Sequence, residues 1–352
     1  MTEIGFVGLG KMGGNMVHRI GRDSDHDVVA FDFDKKAVAR AVRNGARGAS
    51  SLVDLVKKLK APRIVWIMVP AGEATEQTVD KLSKLLEGGD TIVDGGNSKW
   101  TDDKRRAKVL AKQGLHYVDV GTSGGVWGLE VGYCMMVGGP PAAVKRLAPI
   151  LDVLAPQTSA DSVAAIGERG WMRFGGAGAG HYVKMVHNGV EYGLMQAYAE
   201  GFDIFDSSEY ELDNAKIAHL WNQGSVVRSW LCELAARAFE ADGNELQAIE
   251  GYTEDSGEGR WTIAEATARD VPTPVITASL YERLSSRGNG EFAHRVLAAL
   301  RNQFGGHAVR TAGSRARAQP AAQAKTTAQA KPAGGKPPGG RPQGSKQSGK
   351  RR

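Results

Sequence analysis

Lys184, His187, Asn188 and Glu191 recur at spacings of three and four in the segment that runs from Gly175 to Tyr192. A helix turns about 100° per residue, so all four fall within an arc of about 100°. A solvated helix face carries Glu, Lys and Arg in ordinary i,i+4 pairs, whereas this mixture suits proton transfer. A partly desolvated lysine loses its proton near neutral pH and acts as a base. A carboxyl group in the same cavity can be held protonated and act as an acid. Lys184 and Glu191 are the candidates for these two roles. Beside them Val183, Val186, Val190 and Leu194 form an apolar stripe. That stripe is expected to face a core while the polar one lines a cavity.

A second chemistry-bearing stretch lies at the start of the chain. The apolar run Ile4 to Val7 reads as a buried strand, and a helix is expected from Met12 to Ile20. Between them Gly8, Leu9, Gly10, Lys11, Met12 and Gly13 fit G-x-G-x-x-G. The next strand, Val28 to Asp32, ends in an acid about 20 residues beyond the glycines, as the dinucleotide fingerprint requires. The glycines allow a tight turn, backbone approach to a pyrophosphate and close packing of helix on strand. The helix N-terminus offers unpaired N–H groups to the anion. Asp32 can accept both hydroxyls of a ribose and would repel a 2′-phosphate. Asp34 adds a second negative charge, and Lys35 and Lys36 soften it. NAD is therefore the expected cofactor, with NADP possible.

These residues need a frame. Strands are expected at Ile64 to Val69, Thr91 to Asp94, His116 to Val120 and Tyr133 to Val137, the last closing the sheet. Helices are expected across Glu73 to Leu86, Thr101 to Gln113 and Ala142 to Leu154. Alternating strands and helices imply an α/β fold with a mostly parallel, doubly wound sheet. Ligands bind beyond the carboxyl ends of such strands, which places the glycine loop, Asp32, Val69, Asn97 and Ser123, Gly124 and Gly125 on one rim. Arg169 to Gly180 reads as a junction, and the pattern beyond it is helical, with one long helix from His181 to Phe205. The organisation expected is a Rossmann-like domain over 1–170, an all-α domain over 171–311 and a tail over 312–352.

The chain has 352 residues, 41% hydrophobic and 24% charged, with a net charge of +6. The charge sits in the tail. Ala312 to Arg352 carries ten Lys and Arg and no Asp or Glu, which leaves the rest of the chain at −4. The tail has no aromatic residue and no apolar periodicity, so it is expected to be disordered. Contacts with nucleic acid are expected to be weak at most, because base-stacking side chains are missing. Cys134 and Cys232 are too few for a disulfide framework, lie among apolar residues and lack metal-ligand spacing; no metal is expected. The first residues run straight into a strand without a signal peptide, and no apolar run reaches the length of a membrane span. The expectation is a cytoplasmic protein.

With these motifs in view, the chain resembles the 6-phosphogluconate dehydrogenase family over roughly residues 1–310. The motifs are Gly8 to Gly13, Asp94 to Ser98, Ser123 to Gly125, Lys184 to Tyr192, Arg260 to Thr262, Arg283 to Ser286 and Arg301 to His307. The resemblance implies oxidative decarboxylation of 6-phosphogluconate to ribulose 5-phosphate with reduction of a nicotinamide cofactor. It implies Lys184 as base and Glu191 as acid. Asn97, Ser123, Gly124, Gly125, His187 and Asn188 would position the sugar acid and its carboxylate. Tyr192, Arg283, Arg301 and His307 would hold its far end. It also implies a homodimer or homotetramer, because in the long members the C-terminal Arg and His enter the neighbouring subunit's site.

Departures from the family pattern matter too. The length matches the short form. Long members carry a Lys-Gly-Thr element that grips phosphate, whereas this chain has Asp255 to Thr262 with Glu258 at the threonine's place. Arg260 is a candidate replacement. Val126 and Trp127 replace an acidic pair. The altered loop keeps an alternative open: a β-hydroxyacid dehydrogenase acting on an unphosphorylated sugar acid or a small 3-hydroxy acid.

Overall fold

The computed structural model describes residues 1–157 and 170–305. Residues 1–289 form one compact unit, and a second begins at Gly290. The expected disorder of 312–352 and the position of His307 lie outside the described residues.

In chain order the first unit runs β1 (Glu3–Val7), α1 (Lys11–Asp23), β2 (Asp27–Phe31), α2 (Lys35–Arg43), β3 (Arg47–Gly48), α3 (Leu52–Lys57), β4 (Ile64–Ile67), α4 (Glu73–Ser83), β5 (Thr91–Asp94), α5 (Trp100–Ala111) and β6 (His116–Ser123). A 3-10 turn (Gly125–Trp127), α6 (Gly128–Val131), β7 (Cys134–Gly138), α7 (Pro141–Leu154) and β8 (Trp171–Gly175) follow. Helices α8 (Ala179–Asp206), α9 (Asn214–Trp221), α10 (Trp230–Asp242), α11 (Glu258–Ala268) and α12 (Pro274–Ser285) complete it. The second unit contributes α13 (Glu291–Gly305).

The strands form one sheet in the order β3-β2-β1-β4-β5-β6-β7-β8. Every pairing is parallel except β6 with β7. The order reverses at β1, and a crevice opens there beyond the strand ends. The central strands are near-continuous apolar runs because both faces are covered. On one face Ile4, Phe6 and Trp66 pack with Met16, Val17 and Ile20 of α1 and Leu147, Ile150 and Leu151 of α7. On the other, Val29, Val65, Ile67 and Ile92 pack with Leu55, Leu82 and Leu110 of α3, α4 and α5. Each such side chain, fully buried, contributes roughly 1.5–3 kcal/mol.

Three expectations need correction. The stretch read as a junction contains β8, which pairs with β7, so Tyr133 to Val137 does not close the sheet. Its five residues are apolar only at Trp171, Met172 and Phe174, too short a run to separate from a loop by periodicity. Strand β6 continues to Ser123, held by pairing with Cys134. Strand β4 stops at Ile67, so Val69 lies in the following loop. No helix among the described residues is long and apolar enough to cross a membrane.

Candidate active site

The sheet fixes the start of α8. Asp119 lies in the middle of β6 with none of its surface exposed. Its carboxylate accepts from the main-chain N–H groups of Gly178 (2.7 Å) and His181 (2.9 Å). A buried acid thus caps the helix N-terminus from outside, where no side chain of the cap residue does so. Burial raises the Asp119 pKa, and the charge of His181 opposes that. His181 is buried too, its ring held by Asp103 and by the carbonyl of Gly96, which precedes Asn97.

One turn on, Lys184 Nζ donates to Asn188 Oδ1 at 2.7 Å. His187 Nδ1 lies 2.9 Å from the same oxygen. An amide oxygen only accepts, so this ring nitrogen carries the hydrogen. Asn188 Nδ2 donates to Glu258 Oε1 at 2.8 Å, and that oxygen is 3.8 Å from Lys184 Nζ. Glu191 Oε2 stands 3.8 Å from His187 Nδ1, half exposed to the cleft. Burial lowers the Lys184 pKa below the usual lysine value, opposed by the charges of Glu258, Glu191 and Cys134. The lysine is thereby moved toward the neutral form that a base requires.

Lys184, His187, Asn188 and Glu191 line one cleft of about 970 Å³ together with Met12, Ser123, Gly124 and Gly125. The cleft therefore gathers both catalytic candidates, Lys184 and Glu191, and five of the substrate-binding ones, Ser123, Gly124, Gly125, His187 and Asn188. The apolar stripe behaves differently from expectation. Val183, Val186, Val190 and Leu194 line the same cleft, and Val186, Val190 and Leu194 are exposed. The buried side of α8 instead carries His181, Lys184, Met185, Asn188, Gly189 and Tyr192. Glycines at 180, 189 and 193 let β6, β7, α11 and α12 press against that side, so close approach decided which face is buried. Cys134 is exposed opposite Ser123, contrary to the apolar surroundings expected of it, and Cys232 is buried.

The glycine loop meets the requirements of a dinucleotide. Gly8 has φ +94°, and a Cβ there would collide with the main chain of Met68 and press on Val69. A Cβ on Gly13 would collide with the carbonyl of Gly8, so α1 sits directly on the turn. Open space surrounds Gly10, and α1 has no side-chain cap, which leaves its first N–H groups for an anion. Asp32 Oδ2 accepts from Leu9 N at 2.6 Å and Oδ1 from Asp34 N at 2.8 Å, which fixes the carboxylate beside the loop. Leu9 has its side chain buried, so only its backbone faces the loop, while Lys11 is exposed.

At the other side of Glu258, Tyr192 is buried with its hydroxyl accepting from Ser256 N (3.2 Å), and the Arg283 guanidinium stacks 3.5 Å above its ring. Asp255 takes both Arg260 (2.9 Å) and Arg287 (3.0 Å), which hold its pKa down at about 2. Arg260 is thus already committed to a carboxylate. Arg301 belongs to the second unit, exposed on α13. Val126 carries its carbonyl to Asn15 (3.2 Å), and Trp127 lies under Arg237 (4.7 Å). Two features escaped sequence reasoning. The family pattern marks Glu258 only as a lost phosphate contact, whereas it is a buried partner of Asn188. Asp119 and His181 were not singled out, although an acid inside the apolar strand His116 to Val120 was a signal that something buried must pair with it.

The sheet, the glycine loop and the lysine-centred cleft define a nicotinamide-dependent oxidoreductase of the Rossmann type. Comparison with known proteins narrows this. Residues 3–167 match the NAD binding domain of 6-phosphogluconate dehydrogenase, and residues 180–324 match the 6-phosphogluconate dehydrogenase C-terminal domain. The chain is 44% identical over 307 residues to an NAD(+)-dependent, decarboxylating 6-phosphogluconate dehydrogenase of Haloferax volcanii, covering 87% of this chain and 98% of that one. It is 42% identical to a putative 6-phosphogluconate dehydrogenase of Bacillus subtilis, covering 87% and 99%. Among solved structures, the Plasmodium falciparum 6-phosphogluconate dehydrogenase, studied with NADP+ and with 6-phosphogluconate, superposes with a TM-score of 0.72 at 28% identity, covering 88% of this chain and 66% of that one. The chain belongs to the 6-phosphogluconate dehydrogenase family.

Proposed function

We propose that this protein oxidises and decarboxylates 6-phospho-D-gluconate to D-ribulose 5-phosphate and CO₂, with NAD as its preferred oxidant. The observation that carries the reading is the buried Lys184, hydrogen-bonded to Asn188 and set in a cleft that reaches the glycine loop through Met12. The 44% identity to an NAD-dependent decarboxylating relative over 98% of that relative's length supports the substrate and the cofactor. The same match disfavours the alternative of an unphosphorylated or small 3-hydroxy acid.

In this reading Gly8, Leu9, Gly10, Lys11, Met12, Gly13, Asp32, Val69 and Asn97 hold the dinucleotide. Bound NAD supplies the acceptor for the hydride lost from C3. Lys184 takes the proton of the 3-hydroxyl. The resulting ammonium then faces the new carbonyl oxygen and stabilises the charge that develops there as CO₂ leaves. Glu191 returns a proton to C1. Asn97, Ser123, Gly124, Gly125, His187 and Asn188 orient the sugar acid and its carboxylate, while Tyr192 and Arg283 take the phosphate end. Arg301 and His307 complete that end from a second subunit of a homodimer or homotetramer. The exposed apolar groups Val186, Val190, Leu194 and Trp230 around the cleft favour such an assembly. We assign 1–170 to dinucleotide binding, 171–311 to substrate and assembly, and 312–352 to a basic extension. We place the protein in the cytoplasm, where phosphorylated sugar acid and NAD are both present.

The test is steady-state turnover of 6-phosphogluconate with NAD and with NADP, beside gluconate, following reduced cofactor and CO₂ together. Equal amounts of both products from 6-phosphogluconate, faster with NAD, are expected. Turnover of gluconate alone, or reduced cofactor without CO₂, would overturn the reading.

A further inference from the structure

The base of a hydroxyl oxidation must be neutral before the step and charged after it. Lys184 is buried, so the charge it gains needs a fixed partner nearby. The groups facing it can be named element by element. His187 and Glu191 stand on its own helix, Cys134 on β7 and Glu258 on α11. Asp119 on β6 is taken up by Gly178 and His181, Asp103 on α5 by His181, and Arg283 on α12 by Tyr192. Glu191 is half exposed and Cys134 exposed, whereas Glu258 is only 2% exposed. Its Oε1 accepts from Asn188 at 2.8 Å and lies 3.8 Å from Lys184 Nζ. Its Oε2 is buried without a hydrogen-bond partner among the described residues. The backbone secures this placement: Thr262 Oγ1, one turn along α11, donates to the carbonyl of Met185 at 2.9 Å.

We propose that Glu258 is a positioning residue for the proton transfer, a fixed carboxylate that holds Asn188 against Lys184 and stabilises the ammonium formed there. The proposal rests on the lysine-as-base reading above. Asn188 can present its oxygen to Lys184 only while its amide nitrogen has an acceptor, and Glu258 is that acceptor. A threonine at this place has no charge to offer the lysine, so the acid is an addition to the site as well as the loss of a phosphate contact. When the substrate's O–H bond breaks and the third N–H bond forms on Lys184, the new ammonium lies 3.8 Å from Oε1 of a buried carboxylate whose other oxygen has no hydrogen-bond partner among the described residues. An ionised Glu258 also opposes the loss of the lysine's proton, so it sets the pH at which Lys184 becomes available.

The test compares wild type with Glu258→Gln and Glu258→Asp. The first readout needs no substrate: the pH dependence of Lys184 modification by a small amine-directed reagent, followed by peptide mass spectrometry. Removing the opposite charge in Glu258→Gln is expected to lower the midpoint by about one pH unit or more. Glu258→Asp should shift it less and in the same direction. The second readout is the kcat profile, whose acidic limb should move with that midpoint while kcat falls roughly tenfold to hundredfold. A midpoint within 0.3 pH units of wild type in Glu258→Gln overturns the proposal, whatever happens to activity or Tm. If that variant does not fold, Glu258→Thr, which also removes the charge, takes its place, and an unmoved midpoint there overturns the proposal equally. Inactive wild type with a shifted midpoint would discard the substrate assignment and leave the Glu258 role standing.

Discussion

His181 Nδ1 donates to Asp103 Oδ2 at 2.8 Å, and this fully buried pair ties the first turn of α8 to α5. The other ring nitrogen contacts the carbonyl of Gly96 at 3.1 Å. Both partners are pure acceptors, so both ring nitrogens carry hydrogen and the ring is an imidazolium. Burial alone would discharge it, but Asp103, with Asp94 and Asp119 further off, raises its pKa to about 9 from 6.5. A raised pKa contributes stability that is complete below the unfolded value near 6.5 and disappears as pH climbs through 9. The shift corresponds to about 3 kcal/mol, or a Tm loss on the order of 5–10 °C. Thermal melts of wild type and His181→Asn from pH 6 to 9.5 check this. The gap between them should be widest near pH 6.5 and close toward pH 9. A gap independent of pH would show that the charge contributes nothing.

Legibility from sequence followed how local each determinant was. The glycine loop, Asp32 and the 28-residue helix α8 announce themselves by spacing and type alone. The sidedness of α8 does not. Hydrophobicity predicted that Val186, Val190 and Leu194 would face a core, yet the buried side is set by glycines at 180, 189 and 193, and they matter only because β6, β7, α11 and α12 approach there. Glu258 was hidden for the same reason: its partners lie 70 or more positions away. Strand β8 follows a segment outside the described residues and has only a partner strand, not a pattern, to define it.

Lys184 and Asn188 form the contact on which the proposed chemistry turns. Replacing Lys184 by Ala removes the base and leaves the glycine loop untouched. Turnover of 6-phosphogluconate should fall by about 10³-fold, while the Kd for NAD, measured by calorimetry, should change less than twofold. Comparable turnover in Lys184→Ala would move the base elsewhere.

Asp32 binds Leu9 N through Oδ2 and Asp34 N through Oδ1, so its charge faces the loop in a fixed orientation. In Asp32→Asn the shape is kept and the charge is lost. The repulsion toward a 2′-phosphate then weakens. The kcat/KM ratio of NAD to NADP should drop by about tenfold, mostly through a rise in KM for NAD and a fall in KM for NADP. An unchanged ratio would mean that the exposed Lys35 and Lys36 govern the choice instead.

Gly121 of β6 lies under Lys184: a Cβ there would overlap the lysine's own Cβ and come within 3.0 Å of its Cγ. It sits within the strand, one residue beyond the Val120 at which the sequence pattern ends it. Gly121→Ala keeps an ordinary strand backbone and pushes Lys184 away from Asn188. Overpacking of this kind costs about 1–3 kcal/mol. Activity should suffer more than stability, with kcat lowered about a hundredfold for a misplacement near 1 Å. Circular dichroism melts together with kinetics separate the two effects, and a variant that loses Tm while keeping kcat would refute the placement argument.

Arg283 and Arg260 both reach the Tyr192 end of the site, but their forks differ in what they already hold. Arg260 binds Asp255 through Nε and Nη2 at 2.9 and 3.0 Å. Arg283 stacks on Tyr192 and donates through Nη1 to the carbonyl of Glu254 at 3.0 Å, a neutral acceptor that does not cancel its charge. The guanidinium not already bound to a carboxylate is the better partner for a phosphate dianion. Arg283→Ala should therefore raise the KM for 6-phosphogluconate roughly tenfold to hundredfold, in line with a lost bidentate charge-assisted contact. Arg260→Ala should raise it less than about threefold, because that residue's fork is already held by the Asp255 carboxylate. The same pair of variants measured on gluconate, which lacks the phosphate, should show neither effect. If Arg260→Ala proves the more damaging, the Asp255 pair must open on substrate binding and the roles of the two arginines are reversed.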